Sequence, residues 1–166
     1  MVFIWKRFDP EIHHRQSYRL KGWDYTKPGL YFITLNSKGS IHLFGEIIDG
    51  NMICNNFGLI LYDEWLKTPM IRPSVFLDEF IVMPDHFHGI IGIKKISGAS
   101  LVGVTGPVAP TTVPTIVTPT TITPTVTPTS SVWQRGFYDK IIWNAKHLEN
   151  VRNYIRNNPG KWDCKK

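Results

Sequence analysis

The run Phe80-Ile81-Val82-Met83-Pro84-Asp85-His86-Phe87-His88-Gly89-Ile90-Ile91-Gly92-Ile93 constrains this chain more than any other stretch. Its apolar, β-branched and aromatic content predicts buried sheet, with one strand over Phe76–Met83, a bend at Pro84-Asp85 and a second strand from His86. Successive side chains of a strand alternate between faces, so His86 and His88 point the same way and Phe87 packs behind them. Two imidazoles on one face make half of a metal site.

The chain has 166 residues, of which 42% are hydrophobic, enough for one domain with its own core. Its net charge of +6 favours an acidic partner, with nucleic acid first. Cys54 and Cys164 form no Cys-x-x-Cys pair, which excludes a zinc ribbon and fits a reducing compartment. The N-terminal residues lack the apolar core of a signal peptide, and no apolar run is long enough to span a membrane. A cytoplasmic protein with no membrane partner, nucleoid-associated when bound to DNA, is expected.

Basic and aromatic residues alternate from Lys6 to Lys27 (Arg7, His13, His14, Arg15, Tyr18, Arg19, Trp23, Tyr25). Such a segment can neutralise phosphates and stack on unpaired bases, and Arg15 and Arg19 are its candidate DNA contacts. Leu30–Leu35 is predicted as a strand and Asn36–Ser40 as a turn. Ile41–Ile48 and Asn51–Cys54 are predicted as a hairpin about Asp49-Gly50. A helix is expected from Phe57 to Lys67, capped by Asn56 and stopped at Thr68-Pro69.

From Gly98 to Ser131 there is no charged residue, and half of the chain's prolines fall here. Proline at that density opposes helix and ladder alike. The segment at about 98–131 is therefore expected to be a Thr/Pro-rich insert interrupting a single domain over 1–166. Val132–Ile142 is predicted as the last strand, and Ala145–Asn158 as a helix capped by Asn144 and ended by Pro159.

On that helix Tyr154 and Asn158 are four residues apart and so share a face. An amide oxygen can ligate a hard cation, and a tyrosine hydroxyl can act as a nucleophile. His86, His88 and Asn158 would supply three protein ligands of mixed nitrogen and oxygen character, which suits Mg2+ or Mn2+. Arg135, Lys140, Arg152 and Arg156 are candidate phosphate contacts nearby. Asp85 is read as a turn residue, the alternative being an acceptor that orients a ligand imidazole.

Met83-Pro84-Asp85-His86-Phe87-His88 followed far downstream by Tyr154-Ile155-Arg156-Asn157-Asn158-Pro159 resembles the single-tyrosine HUH transposases, in particular the REP-associated tyrosine transposase branch. Arg15–Leu20, Leu43–Met52, Leu77–Ile93 and Trp133–Pro159 also read like that branch, although it more often has asparagine at the position of Asp85. The resemblance implies an α+β, ferredoxin-like or RRM-like domain. Its central antiparallel sheet would carry the His-x-His strand, with helices packed on one face. It implies that His86, His88 and Asn158 hold a divalent metal and that Tyr154 attacks a phosphate of single-stranded DNA beside a hairpin. The products would be a 5′-phosphotyrosine and a free 3′-hydroxyl. Some relatives are homodimers whose tyrosine completes the partner's site and others act as monomers, so the tyrosine is left open between cis and trans. The reading from another class is a non-catalytic DNA hairpin-binding protein derived from such an enzyme.

Overall fold

The computed structural model describes residues 19–95 and 131–162. In order these form strand β1 (Gly29–Asn36), β2 (Gly45–Ile48), β3 (Asn51–Cys54), helix α1 (Asn56–Ile71), β4 (Val75–Val82), β5 (His86–Ile93), β6 (Tyr138–Ile142), α2 (Ala145–Arg156) and the short α3 (Asn158–Trp162). Four strands build one antiparallel sheet in the order β4-β5-β1-β6, and β2 and β3 form a separate hairpin. The protein is thus α+β around a central antiparallel sheet with helices packed against it, and its strand order is compatible with a ferredoxin-like fold. The Thr/Pro-rich insert and the basic residues up to Tyr18 lie almost wholly outside the described residues.

The hairpin turns at Asp49-Gly50, where φ is 50° and 72°, the pair of positive values that a two-residue turn requires. Several boundaries differ from expectation. The strand predicted from Ile41 begins only at Gly45, because Leu43 and Phe44 leave the ladder to fill the core. α1 is capped by Asn55, whose side chain accepts from the N–H groups of Phe57 and Gly58, and it runs through Pro69 to Ile71. A proline in the last turn removes a single ladder bond and leaves the turn intact. β6 is shorter than Val132–Ile142, since Trp133 makes only an isolated bridge to Ser37 before the chain reaches Tyr138.

The helices depart from the single face expected of them, because strand alternation gives α1 and α2 each its own side of the sheet. α1 brings Trp65 onto Phe80 and Phe87, with ring centroids 4.8 Å apart for Trp65 and Phe87. α2 lays Val151 and Ile155 on Phe32, Ile81, Met83 and Ile90, the side that also carries His88. Full burial of one such side chain contributes about 1.5–3 kcal/mol. Gly89 shows how tightly the strand is held from behind. A Cβ there would stand 2.7 Å from the Trp65 ring and 2.9 Å from Phe87, so the residue after the second histidine has no room for a side chain.

Candidate active site

β5 enters the sheet directly from the Pro84-Asp85 bend, which sets His86 and His88 at its start and on one face. Their rings are 4.6 Å apart, centroid to centroid. Each ring is oriented through Nδ1. His86 Nδ1 lies 2.5 Å from Asp85 Oδ1, and His88 Nδ1 lies 2.8 Å from the Thr34 hydroxyl, directly across the ladder on β1. Asp85 accepts from His86 Nδ1–H, which leaves the lone pair of that ring on Nε2, the form in which imidazole ligates a metal, and the Thr34 hydroxyl can accept from His88 Nδ1–H in the same way. Asp85 therefore does more than turn the chain, and the orienting role set second in the sequence reading matches its contact.

Tyr154 comes to the same place from α2 of the same chain. Its Oη is 3.3 Å from His88 Nε2, and its ring meets Phe32 edge-on, with centroids 5.9 Å apart. The tyrosine is 45% exposed while His88 is 5% exposed, so a hydroxyl open to solvent stands over a shielded imidazole.

Asn158 differs from expectation in its element. α2 ends at Arg156 and Asn157 caps it, so Asn158 opens α3 instead of extending the tyrosine helix by a turn. After this break Asn158 is buried and Trp162 lies over His86 at 5.6 Å between ring centroids. Asn158 is thus flanked in sequence by Tyr154, which touches His88, and Trp162, which touches His86. Among the described residues no three His, Cys, Asp or Glu side chains group closely enough to hold a metal. A cation here would have two imidazole nitrogens, with an amide oxygen, water and substrate oxygens for the rest. That donor set fits Mg2+ or Mn2+ better than a tetrahedral zinc.

The candidate phosphate contacts fall into three groups. Lys140 is exposed on β6, directly opposite Phe32 and on the face of the histidines, with its ammonium over the Tyr138 ring. Arg135 is exposed in the approach to β6, and the Arg19 guanidinium rests over Tyr25 and Phe137. Arg15 lies outside the described residues. Arg152 and Arg156 depart from expectation: both are engaged by carboxylates of β4. Arg152 forks onto Asp78 at 2.8 and 2.6 Å, and Arg156 grips Glu79 Oε2 at 3.0 and 2.8 Å. Burial pushes the Asp78 carboxyl up, but the Arg152 fork, the Glu79 N–H and the nearby guanidinium charges outweigh it and hold Asp78 below the usual range.

Thr34 and Trp162 were missed from the sequence. Nothing local marks Thr34, since its role follows from cross-strand register, and the place of Trp162 depends on the helix break at Asn157. Asp78 and Glu79 had a visible signal: two adjacent acids inside the apolar run of β4 demand buried cations.

Comparison with curated proteins finds an uncharacterized protein of Haemophilus influenzae that is 35% identical over 170 aligned residues, covering 95% of this chain and 94% of that one. No family model and no solved structure matches the chain. No helix among the described residues is long and apolar enough to cross a membrane.

Proposed function

The chain belongs to the same family as this Haemophilus influenzae protein, and we propose that it is an HUH-type enzyme that nicks and rejoins single-stranded DNA at hairpins with Tyr154 as nucleophile. One observation carries the reading: the Tyr154 hydroxyl lies 3.3 Å from Nε2 of a histidine whose neighbour two residues away shares its face. A helical tyrosine with only a packing role has no need to meet a histidine pair whose ring nitrogens are both oriented from behind.

The chemistry follows from these groups. Oη of Tyr154 attacks the scissile phosphorus, an O–P bond to tyrosine forms, and the bond from phosphorus to the 3′ oxygen breaks. The exposed phenol releases its proton to water, and the departing oxygen takes one up to become a 3′-hydroxyl. A phenol in water is almost wholly protonated at neutral pH, so the attack needs its anion stabilised. Bound by His86, His88 and Asn158, a divalent cation would supply positive charge where the phosphoryl oxygens gain negative charge. Lys140 adds a second charge at the open side of the site. One phosphodiester is exchanged for another, so the reverse reaction joins strands without an external energy source.

Labelled hairpin DNA with an unpaired flank, incubated with the protein and Mg2+ or Mn2+ and run on a denaturing gel, tests this. A covalent protein–DNA band that disappears in Tyr154→Phe and in His86→Ala is the expected result. Binding without any band across a panel of hairpins would favour the non-catalytic binder, and cutting undiminished by Tyr154→Phe would point to water as nucleophile.

A further inference from the structure

We infer that Arg152 and Arg156 are positioning residues: gripping Asp78 and Glu79, they fix the rotation of α2 about its own axis and so hold Tyr154 to the histidines of its own chain. The inference rests on the nucleophile reading above for its consequence, though not for its geometry.

The helix has a division of faces that makes this necessary. At about 100° per residue, Val151 and Ile155 define the buried stripe, Tyr154 lies roughly 90° to one side of it, and Arg152 and Arg156 lie about as far to the other. Apolar contact along a stripe is non-directional and tolerates some rolling of the helix. Forked guanidinium–carboxylate bonds do not tolerate it. With four N–H···O bonds of 2.6–3.0 Å on one flank, rolling would break the grip before it moved the tyrosine far.

The sheet is built to receive this grip. Asp78 and Glu79 are consecutive, and in a regular strand they would face opposite sides. Pairing between β4 and β5 shifts register between Leu77 and Phe80, and both of those flanking residues belong to the cluster under α1. The irregularity therefore turns both acids toward α2, where they are 9% and 5% exposed, and the Glu79 N–H donates to Asp78 Oδ1 at 2.8 Å. A bulge that spends a ladder rung to aim two buried carboxylates at one helix is a device for placing that helix.

The test reads Tyr154 directly. 3-Fluorotyrosine is placed at position 154 of the full chain, and its 19F resonance is compared with and without His88→Ala, with neither DNA nor metal present. In the otherwise native chain His88→Ala should shift the resonance. In Asp78→Asn/Glu79→Gln, with far-ultraviolet dichroism unchanged, the resonance should move toward that of free fluorotyrosine and lose its response to His88→Ala. On hairpin DNA the same variant should form the covalent adduct about 100-fold more slowly in a single turnover, the scale of a 1 Å misplacement, with DNA affinity unchanged. If that variant does not fold, Arg152→Lys/Arg156→Lys keeps both charges and loses the forks, and a partial loss of the response is expected. A released variant that folds and keeps the full His88 response overturns the inference. A native chain that shows the response but cuts no DNA overturns the enzymatic reading alone.

Discussion

His88 has to satisfy two neighbours at once, Thr34 at Nδ1 and Tyr154 at Nε2. Thr34→Val keeps the shape of that residue and removes the hydroxyl. The ring then loses the partner that selects its tautomer, and Mn2+ affinity should fall about 10- to 100-fold, as for other supporting partners of metal-bound histidine. Calorimetric titration with Mn2+ checks this, and an unchanged affinity would remove Thr34 from the site. At this scale the sequence was partly legible. The spacing His86-Phe87-His88 showed which imidazoles share a face because strand alternation is a local rule. Thr34 is invisible to any local rule, since only the register of β1 against β5 brings it opposite His88. Arg152 and Arg156 read as phosphate contacts because the acids that bind them are remote in sequence and share a face only through a bulge.

At the scale of elements, α2 is held by contacts of two kinds, a stripe of apolar side chains and a pair of ion pairs to buried carboxylates. The second kind responds to pH. Asp78 is held below the usual carboxylate range in the folded protein. Its contribution is therefore fully present above the ordinary aspartate value near 4 and disappears as pH falls through the depressed value. Urea unfolding followed between neutral pH and about pH 3 should show stability falling steeply on the acid side. In Asp78→Asn that acid-side fall should be shallower, and equal slopes would remove the pair from the stability of α2. The strand and helix types followed readily from periodicity and caps. Element ends were less legible, because tertiary packing decided them. Pro69 stays within α1, Leu43 and Phe44 leave their predicted strand to fill the core, and the turn at Asn157 separates Asn158 from the helix of Tyr154.

Across the whole molecule, β5 and β6 both pair antiparallel with β1 and hence run parallel to each other. The chain must therefore return along the sheet from Ile93, opposite Gly29, to Tyr138, opposite Thr34, roughly 17 Å at ordinary strand rise. That connection contains the Thr/Pro-rich stretch, and it separates the histidine half of the site from the tyrosine half. β6 binds β1 through a ladder and α2 binds β4 through its ion pairs, so much of what unites the halves is non-covalent. Two polypeptides, 1–97 and 132–166, should therefore associate when co-expressed and regain adduct formation that neither has alone. Failure of the shorter piece to co-purify with the longer would show that the connection itself is required. If they do associate, the rate of the first DNA cut becomes second order in protein at low concentration. An intramolecular active site would then behave as a bimolecular one, switched by how often its two halves meet.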